Sequence, residues 1–470
     1  MDRTQIFIDG QWTDSASTET IEVIDPTREE RIGAVTAGTP ADVDRAVAAA
    51  RAALPGWAAT APARRADLLQ AAGERFGARI DELGALIARD VGMPVKLAGP
   101  IQIGMPAKNL TAFAELARTY PFTGQTIGNS QIEREPVGVV GAITPWNYPV
   151  HQVVLKIGAA LAAGCTAVIK PTEVTPLAVY ELIDVLAEVG IPPGVVNLVS
   201  GYGPVVGQAL AEHPGIDMIS FTGSTRAGKQ VAAAAAANIT RVALELGGKS
   251  ANLILGDADF DTAVVDGVRK CFLNAGQTCS ALTRMIVPKD RIDEVTELAV
   301  EAARGFVPGD PLDPATMLGP LVSDTQRRRV IDYIAGAEVE GAKIALDGRK
   351  TEHDRGYFVG PTVLTGVRPE MTVAREEVFG PVLSILGADD EEEAIAIAND
   401  SDYGLSGAVW SADQDRAVAV ARRLRTGQVD VNGGRFNAAA PFGGYKHSGI
   451  GREGGIFGLE EFTEIKSMQL

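Results

Sequence analysis

The sequence predicts an α/β fold: a parallel sheet covered by helices on both faces, a second α/β unit after it, and a small β element outside both. Three observations predict it. Between Val137 and Leu246 five short apolar segments alternate with four helix-length ones; a second series of the same kind begins after Ser250; and residues 121–134 form a polar strand-turn-strand candidate that fits neither series. Strands alternating with helices of this length build right-handed βαβ units, and therefore a parallel sheet.

In chain order, short strands are expected around Ile6 and Ile21, then alanine-rich helices over Ala63–Val91 and Met105–Tyr120. The strand VGVVGAI leads to a helix near Val150–Ala163, strand TAVIK to a helix over Thr175–Val189, and strand VVNLV to a helix over Val205–Glu212. Strand MISFT, a helix over Ala227–Ala237 and strand RVALEL complete the first series. In such sheets ligands sit beyond the carboxyl ends of the strands. Those ends carry TPWN (144–147), KPTE (170–173), SGYG (200–203), TGST (222–225) and ELGG (245–248), so a site is expected there. The second series runs from strand ANLIL through a helix near Thr262–Leu273, strand RMIVP and a helix near Asp290–Phe306 to strand GQVDV at 427–431.

With 470 residues, 46% hydrophobic and 22% charged, the chain can bury large cores in two or three domains. A net charge of −17 argues against nucleic-acid or anionic-membrane partners, because such a surface repels phosphates. Cys165, Cys271 and Cys279 are too few and scattered for a disulfide framework, which points to a reducing cytoplasm. MDRTQIFIDGQW lacks the regions of a signal peptide, and no run of about 18 apolar residues occurs, so the chain reads as soluble. His151, His213, His353 and His447 are not at metal-ligand spacings, and no metal is expected.

Cys279 lies in NAGQTCSA, where glycine and small polar residues follow a helix and precede a strand. Such a turn can expose a thiol, although a lone cysteine is often a small buried hydrophobe. That second reading is kept for Cys165 in AAGCTAV and Cys271 in VRKCFL. Glu245 ends an apolar strand and abuts two glycines that would let a substrate or cofactor approach the backbone. A carboxylate there needs a salt-bridge partner or a raised pKa, and the latter suits a general base acting on water. The glycines of SGYGPVVG and FTGSTRAG lie between strand and helix, either as turn residues or with amides free to bind a pyrophosphate. Lys170 follows an apolar strand, where a cation can meet a ribose or phosphate.

Taken together, TPWNYP, KPTEVTPL, FTGSTRAG, LELGGKS, GQTCSA, EEVFGPV and APFGGYKHSGIGRE resemble, in order and spacing, the aldehyde dehydrogenase superfamily over nearly the whole chain. The resemblance implies a Rossmann-like cofactor-binding domain (1–120 and 135–247), a second α/β catalytic domain (248–447), and a small β oligomerisation element (121–134 and 448–470) in a homodimer or homotetramer. It implies Cys279 as nucleophile, Asn147 as oxyanion donor and Glu245 as base, with Lys156 and Glu453 either a proton relay or a structural ion pair. At the NAD cofactor it implies Lys170 and Glu173 by the adenosine ribose and Ser224 by the pyrophosphate, with Thr172 also against the cofactor. Thr144, Trp146, Gly203, Gly207, Phe221, Gly223, Leu246 and Gly247 would line the cleft, and Glu377 and Phe379 would hold the nicotinamide riboside. A carboxylate at Glu173 accepts hydrogen bonds from both ribose hydroxyls and repels a 2′-phosphate, favouring NAD, with NADP still possible.

Members that pass the acyl group to coenzyme A usually lack the glutamate matched by Glu245, so its presence favours water as acceptor and a carboxylic acid as product. The alternatives are a coenzyme A-acylating enzyme on the same nucleophile, or a non-catalytic protein that kept the fold. Leu155 fits neither the succinic semialdehyde branch nor the betaine aldehyde branch. Tyr148, His151, Gln152, Leu155, Thr278, Phe436 and Phe442 are expected to line the access tunnel, a mixed apolar surface for aliphatic or aromatic aldehydes, with His151 and Arg435 leaving a polar or acidic substrate open.

Overall fold

The computed structural model describes all 470 residues. The centre of its eight-stranded sheet is the parallel set expected from the first alternating series, in spatial order Arg241–Glu245, Met218–Thr222, Val139–Ile143, Thr166–Lys170 and Val196–Leu198. These strands are near-continuously apolar because both faces are covered. Val139, Ile143, Val168 and Phe221 belong to one core, while Val140, Ala142, Ala167 and Ile169 belong to the other, the two-residue alternation of a pleated strand.

The topology explains where a ligand can enter. From the middle strand, Val139–Ile143, the chain builds outward through Thr166–Lys170 and Val196–Leu198. It then returns to lay Met218–Thr222 against the other side of the first strand. Where successive connections leave in opposite directions, the loops beyond the strand ends part and form a crevice. The flanking loops are those that begin at Thr144 and Gly223.

Antiparallel strands close both edges of this sheet. Ile6–Ile8 and Gln11–Thr13 lie beyond Val196–Leu198, and Gly449–Ile450 lies beside Arg241–Glu245. This last strand departs from the grouping made from sequence, which set 448–470 apart as an oligomerisation element. Pairing of Glu245 with Gly449 and Leu244 with Ile450 ties the segment to the strand that bears Glu245.

A seven-stranded sheet has its own core, around Leu253, Met285, Leu383 and Val409. It is parallel from Thr362–Thr365 to Gln428–Val431, with Lys343–Leu346 antiparallel at one edge. A third sheet joins the hairpin Gln125–Ile127 and Ser130–Pro136 to the C-terminal strand Thr463–Gln469, and a fourth holds Asp2–Arg3, Glu30–Thr36 and Thr20–Asp25.

Two helices differ from expectation. The stretch Ala63–Val91 is two helices, Pro62–Gly77 and Ile80–Asp90, because Arg79 leaves helical dihedrals (φ −100°, ψ 23°) and its guanidinium bonds Glu82 and Glu181. The segment read as a helix over Val205–Glu212 begins as a wide turn, Gly203–Gly207, and only Gln208–Glu212 is α-helical. No helix is long and apolar enough to cross a membrane.

Candidate active site

Cys279 follows a turn in which Asn274, Ala275 and Gly276 have φ of 54°, 54° and 72°. Left-handed backbone at a residue bearing a side chain costs of order 1–3 kcal/mol, so neighbouring groups must hold it. Gln277 supplies that hold from a fully buried position: its Nε2 donates to the Asn274 carbonyl at 3.1 Å, and its Oε1 accepts the Val322 N–H at 2.9 Å. Gly276 packs so closely on Gly380 that a Cβ would lie 2.1 Å from the Gly380 carbonyl oxygen.

Asn147, just before the helix Pro149–Ala163, is locked to this loop. Its Nδ2 donates to the Gln277 carbonyl at 2.9 Å, and its own carbonyl accepts from Gln102 Nε2 at 2.9 Å and Asn274 Nδ2 at 3.2 Å. Tyr148 adds a second tie, its hydroxyl lying 2.7 Å from Thr278 Oγ1. Thr278 spends its single proton on the Leu273 carbonyl, so Tyr148 is the donor. The half-buried Cys279 thiol is pushed up to about 12, by burial first and then by the charges of Glu377 and Glu245. It is therefore held as the thiol at neutral pH. Cys165 and Cys271 are fully buried with their thiols on the Phe462 and Val382 carbonyls.

Glu245 ends its strand with a side chain that is buried and without a hydrogen-bond partner on either carboxylate oxygen. Burial, and after it repulsion from Glu453, drives its pKa well above the carboxylate range, while Lys156 pulls it down. Lys156 is itself fully buried, 2.5 Å from Glu453 Oε1 and 2.7 Å from Thr222 Oγ1. Glu453 is fixed in turn by reciprocal backbone hydrogen bonds with Phe442, both 2.7 Å.

The two glycines after Leu246 join these parts. A Cβ on Gly247 would lie 2.3 Å from Glu377 Oε2, and one on Gly248 would lie 2.4 Å from the Cys279 carbonyl oxygen. The Gly248 N–H donates to Glu377 Oε1 at 3.0 Å, and burial pushes the Glu377 carboxyl up to about 7 against that bond. Phe379, at φ 61°, meets Trp146 edge to face with ring centres 5.3 Å apart.

Around the crevice, Lys170 is buried with its ammonium 2.8 Å from Glu173 Oε2. Burial raises the Glu173 pKa, but Lys170 and the Gly203 N–H outweigh it and hold the carboxylate below its ordinary range. Thr144 and Thr172 are buried, Thr172 accepting the Val174 N–H, while the Trp146 carbonyl is held by Thr175. Ser224 caps the helix Thr225–Ala236, where unpaired amides at the N-terminus favour an anion. Gly223 sits directly over the buried Phe221 ring, and Gly228 lets that helix approach Leu246. Gly203 and Gly207 bound the wide turn opposite, Gly207 next to the Lys170 stem. This donor set suits a dinucleotide: a carboxylate at each end for ribose hydroxyls and a helix N-terminus for the pyrophosphate.

The residues expected along the tunnel share fewer contacts. Tyr148 and Thr278 meet, and Phe442 faces Phe436 at 6.3 Å with Phe436 half exposed. His151 is buried near Asn109 and pushed down to about 4 by burial, hence neutral. Leu155 packs within the core that holds Val140 and Ile169, and Gln152 turns its carbonyl to Thr222. Sequence reading missed Gln102, Thr175, Thr222 and Gln277 as supports. Gln277 lay inside a recognised motif, while Gln102 sits in an otherwise apolar segment and gave no signal.

A family model described as the aldehyde dehydrogenase family matches residues 12–468. A 3-succinoylsemialdehyde-pyridine dehydrogenase of a Pseudomonas species is 48% identical, the match covering 99% of this chain and 98% of the relative. The geranial dehydrogenase of Castellaniella defragrans is 43% identical over 100% and 99% of the two chains. Among solved structures, a cysteine-to-alanine mutant of aldehyde dehydrogenase C from Pseudomonas syringae, complexed with NAD+ and octanal, superposes at TM-score 0.98 with 46% identity, covering 99% and 96% of the two chains. An aldehyde dehydrogenase of Mycobacterium tuberculosis complexed with NAD+ gives TM-score 0.98 at 43% identity, over 100% and 98%. With the family model spanning residues 12–468 and relatives matched nearly end to end, this chain belongs to the aldehyde dehydrogenase family and oxidises an aldehyde to the carboxylic acid with NAD.

Proposed function

We propose that Cys279 is the nucleophile of this reaction, Asn147 the oxyanion donor and Glu245 the base for a hydrolytic second step. The observation that carries the reading is the joining of Asn147 to the Cys279 loop through Gln277, with the unpartnered Glu245 carboxylate linked to the same loop by Gly247 and Gly248.

Oxidised nicotinamide, held by Glu377 and Phe379, would supply the hydride acceptor, and its positive charge would favour the Cys279 thiolate over the thiol. The Sγ bonds to the aldehyde carbon while the carbonyl π electrons move to oxygen. Asn147 has one Nδ2–H engaged by Gln277 and a second free for that oxyanion, next to the Cys279 N–H. Loss of hydride from the adduct restores the carbonyl as a thioester on Cys279. Glu245 then takes a proton from water as its oxygen attacks, and the thiolate leaves from the second tetrahedral adduct. Glu377 and Glu173 offer carboxylates to the two riboses, and Glu173 disfavours a 2′-phosphate.

For substrate, a neutral His151 and a neutral Tyr148 support an uncharged aldehyde with an aliphatic or aromatic body. The relatives named for geranial and for a pyridyl semialdehyde, and the neighbour holding octanal, fit that class. The sheet that joins Gln125–Ile127 and Ser130–Pro136 to Thr463–Gln469 supports a closed homodimer or homotetramer, and three free cysteines support a cytoplasmic location.

The test is production of reduced nicotinamide from NAD with aliphatic, aromatic and semialdehyde substrates, without coenzyme A, beside Cys279→Ala. Turnover that the substitution abolishes supports the assignment. Turnover that waits for coenzyme A would make that thiol the acyl acceptor and remove Glu245 as base.

A further inference from the structure

Gln152 and Lys156 lie one turn apart on the helix Pro149–Ala163, so their side chains leave the same face. Both reach Thr222: Lys156 Nζ donates to Thr222 Oγ1 at 2.7 Å, and Thr222 Oγ1 donates to Gln152 Oε1 at 3.1 Å. Thr222 is the register partner of Glu245 on the neighbouring parallel strand. In-register neighbours point to the same side of a sheet, so the Thr222 hydroxyl and the Glu245 carboxylate leave the sheet together at its carboxyl end.

A buried ammonium needs more than its counterion, since its remaining N–H groups must also be satisfied. Glu453 takes one Lys156 proton and Thr222 takes another. A hydroxyl has only one proton. By accepting it, Gln152 turns the Thr222 lone pairs toward the ammonium and polarises the hydroxyl in a chain of successive hydrogen bonds. The Gln152 carbonyl is thereby committed inward, although sequence reading assigned this residue to the substrate wall.

We propose that Gln152 and Thr222 are positioning residues for hydrolysis. Together they fix the Lys156 ammonium beside Glu245, and so set the pH at which Glu245 becomes competent to deprotonate water. The proposal rests on Glu245 being the base. The groups acting on Glu245 are Lys156 from the helix Pro149–Ala163, Glu453 and Arg452 from the loop before the helix Gly455–Glu461, and Glu461 at the end of that helix. Gln152 and Thr222 carry no charge, so they act only by holding the cation of this set in place.

The experiment measures, across pH, the pre-steady-state burst of reduced nicotinamide and the later steady-state rate in Gln152→Met, Thr222→Val and Thr222→Ser. In the first two, the steady-state rate is expected to fall by about tenfold, more than the burst rate, with the acid limb displaced about one pH unit upward. Thr222→Ser restores the hydroxyl and should return both values toward those of the unaltered enzyme. An unmoved acid limb, with changes confined to KM for the aldehyde, would overturn the proposal and leave Gln152 as tunnel wall. Gln152→Met nearly preserves volume, and its melting curve separates misfolding from mispositioning. Glu245→Gln is measured in parallel: if it still hydrolyses the thioester, the assignment of the base fails, an outcome distinct from failure of the positioning chain.

Discussion

As the proposed base, Glu245 must be ionised to act, and its environment opposes ionisation. Burial and Glu453 raise its pKa while Lys156 lowers it. Hydrolysis is therefore expected to decline as pH falls through this raised value, far above where an exposed glutamate would titrate. Lys156→Met removes the cation that favours the carboxylate, so the decline should move to higher pH by about one unit, read from the acid limb of the steady-state rate. Asn147→Ala removes the proposed oxyanion donor, and kcat/KM should drop by about a hundredfold or more in aldehyde titrations. Glu173→Gln should raise kcat/KM with NADP relative to NAD by about tenfold, because the charge facing a 2′-phosphate is gone. Cys279, Glu245 and Asn147 stand out in sequence because each lies where an element gives way to a loop. Gln102 does not, since a polar residue within an apolar segment reveals its use only through partners distant in the chain; Thr222 lies at a strand end within FTGSTRAG, but its particular tie is equally long-range. Thr222 bonds Lys156, and Gln102 bonds the Asn147 carbonyl.

Elements act here through close backbone approach. Gly276 combines φ of 72° with a Cβ position 2.1 Å from the Gly380 carbonyl oxygen, so Gly276→Ala must move one of the two loops. Denaturant titration should find a loss of about 1–3 kcal/mol, with Cys279 misplaced. Gly247→Ala would instead displace the Glu377 carboxylate, a flexible side chain, so KM for NAD should rise with little change in stability. The five parallel strands were legible because burial on both faces leaves a nearly continuous apolar run. The break at Arg79 was not, because it is held by Glu181, which lies far along the chain. The edge strand Gly449–Ile450 escaped for the same reason: it is too short to show a period, and its pairing with Glu245 is long-range.

At the scale of the whole molecule, strand pairing sets Ile127, Ile132 and Ile465 on one face of the three-stranded sheet, with Ile127 62% and Ile465 63% exposed. These isoleucines leave apolar area exposed on that face, among Ser130, Arg134, Ser467 and Gln469. If it joins subunits, Ile465→Asp should lower the sedimentation coefficient at micromolar concentration. The proposed active site draws on both large sheets, with Glu245 and Asn147 from the first and Cys279, Glu377 and Phe379 from loops of the second, so its chemistry tests the assembled fold. The most direct measurement is the mass of Glu245→Gln mixed with NAD and an aliphatic aldehyde, followed by peptide mapping. A slowly hydrolysed acyl group on the peptide that contains Cys279, formed with one equivalent of reduced nicotinamide, is the predicted result. Reduced nicotinamide with no acyl group on Cys279, or hydrolysis as fast as in the unaltered enzyme, would contradict it.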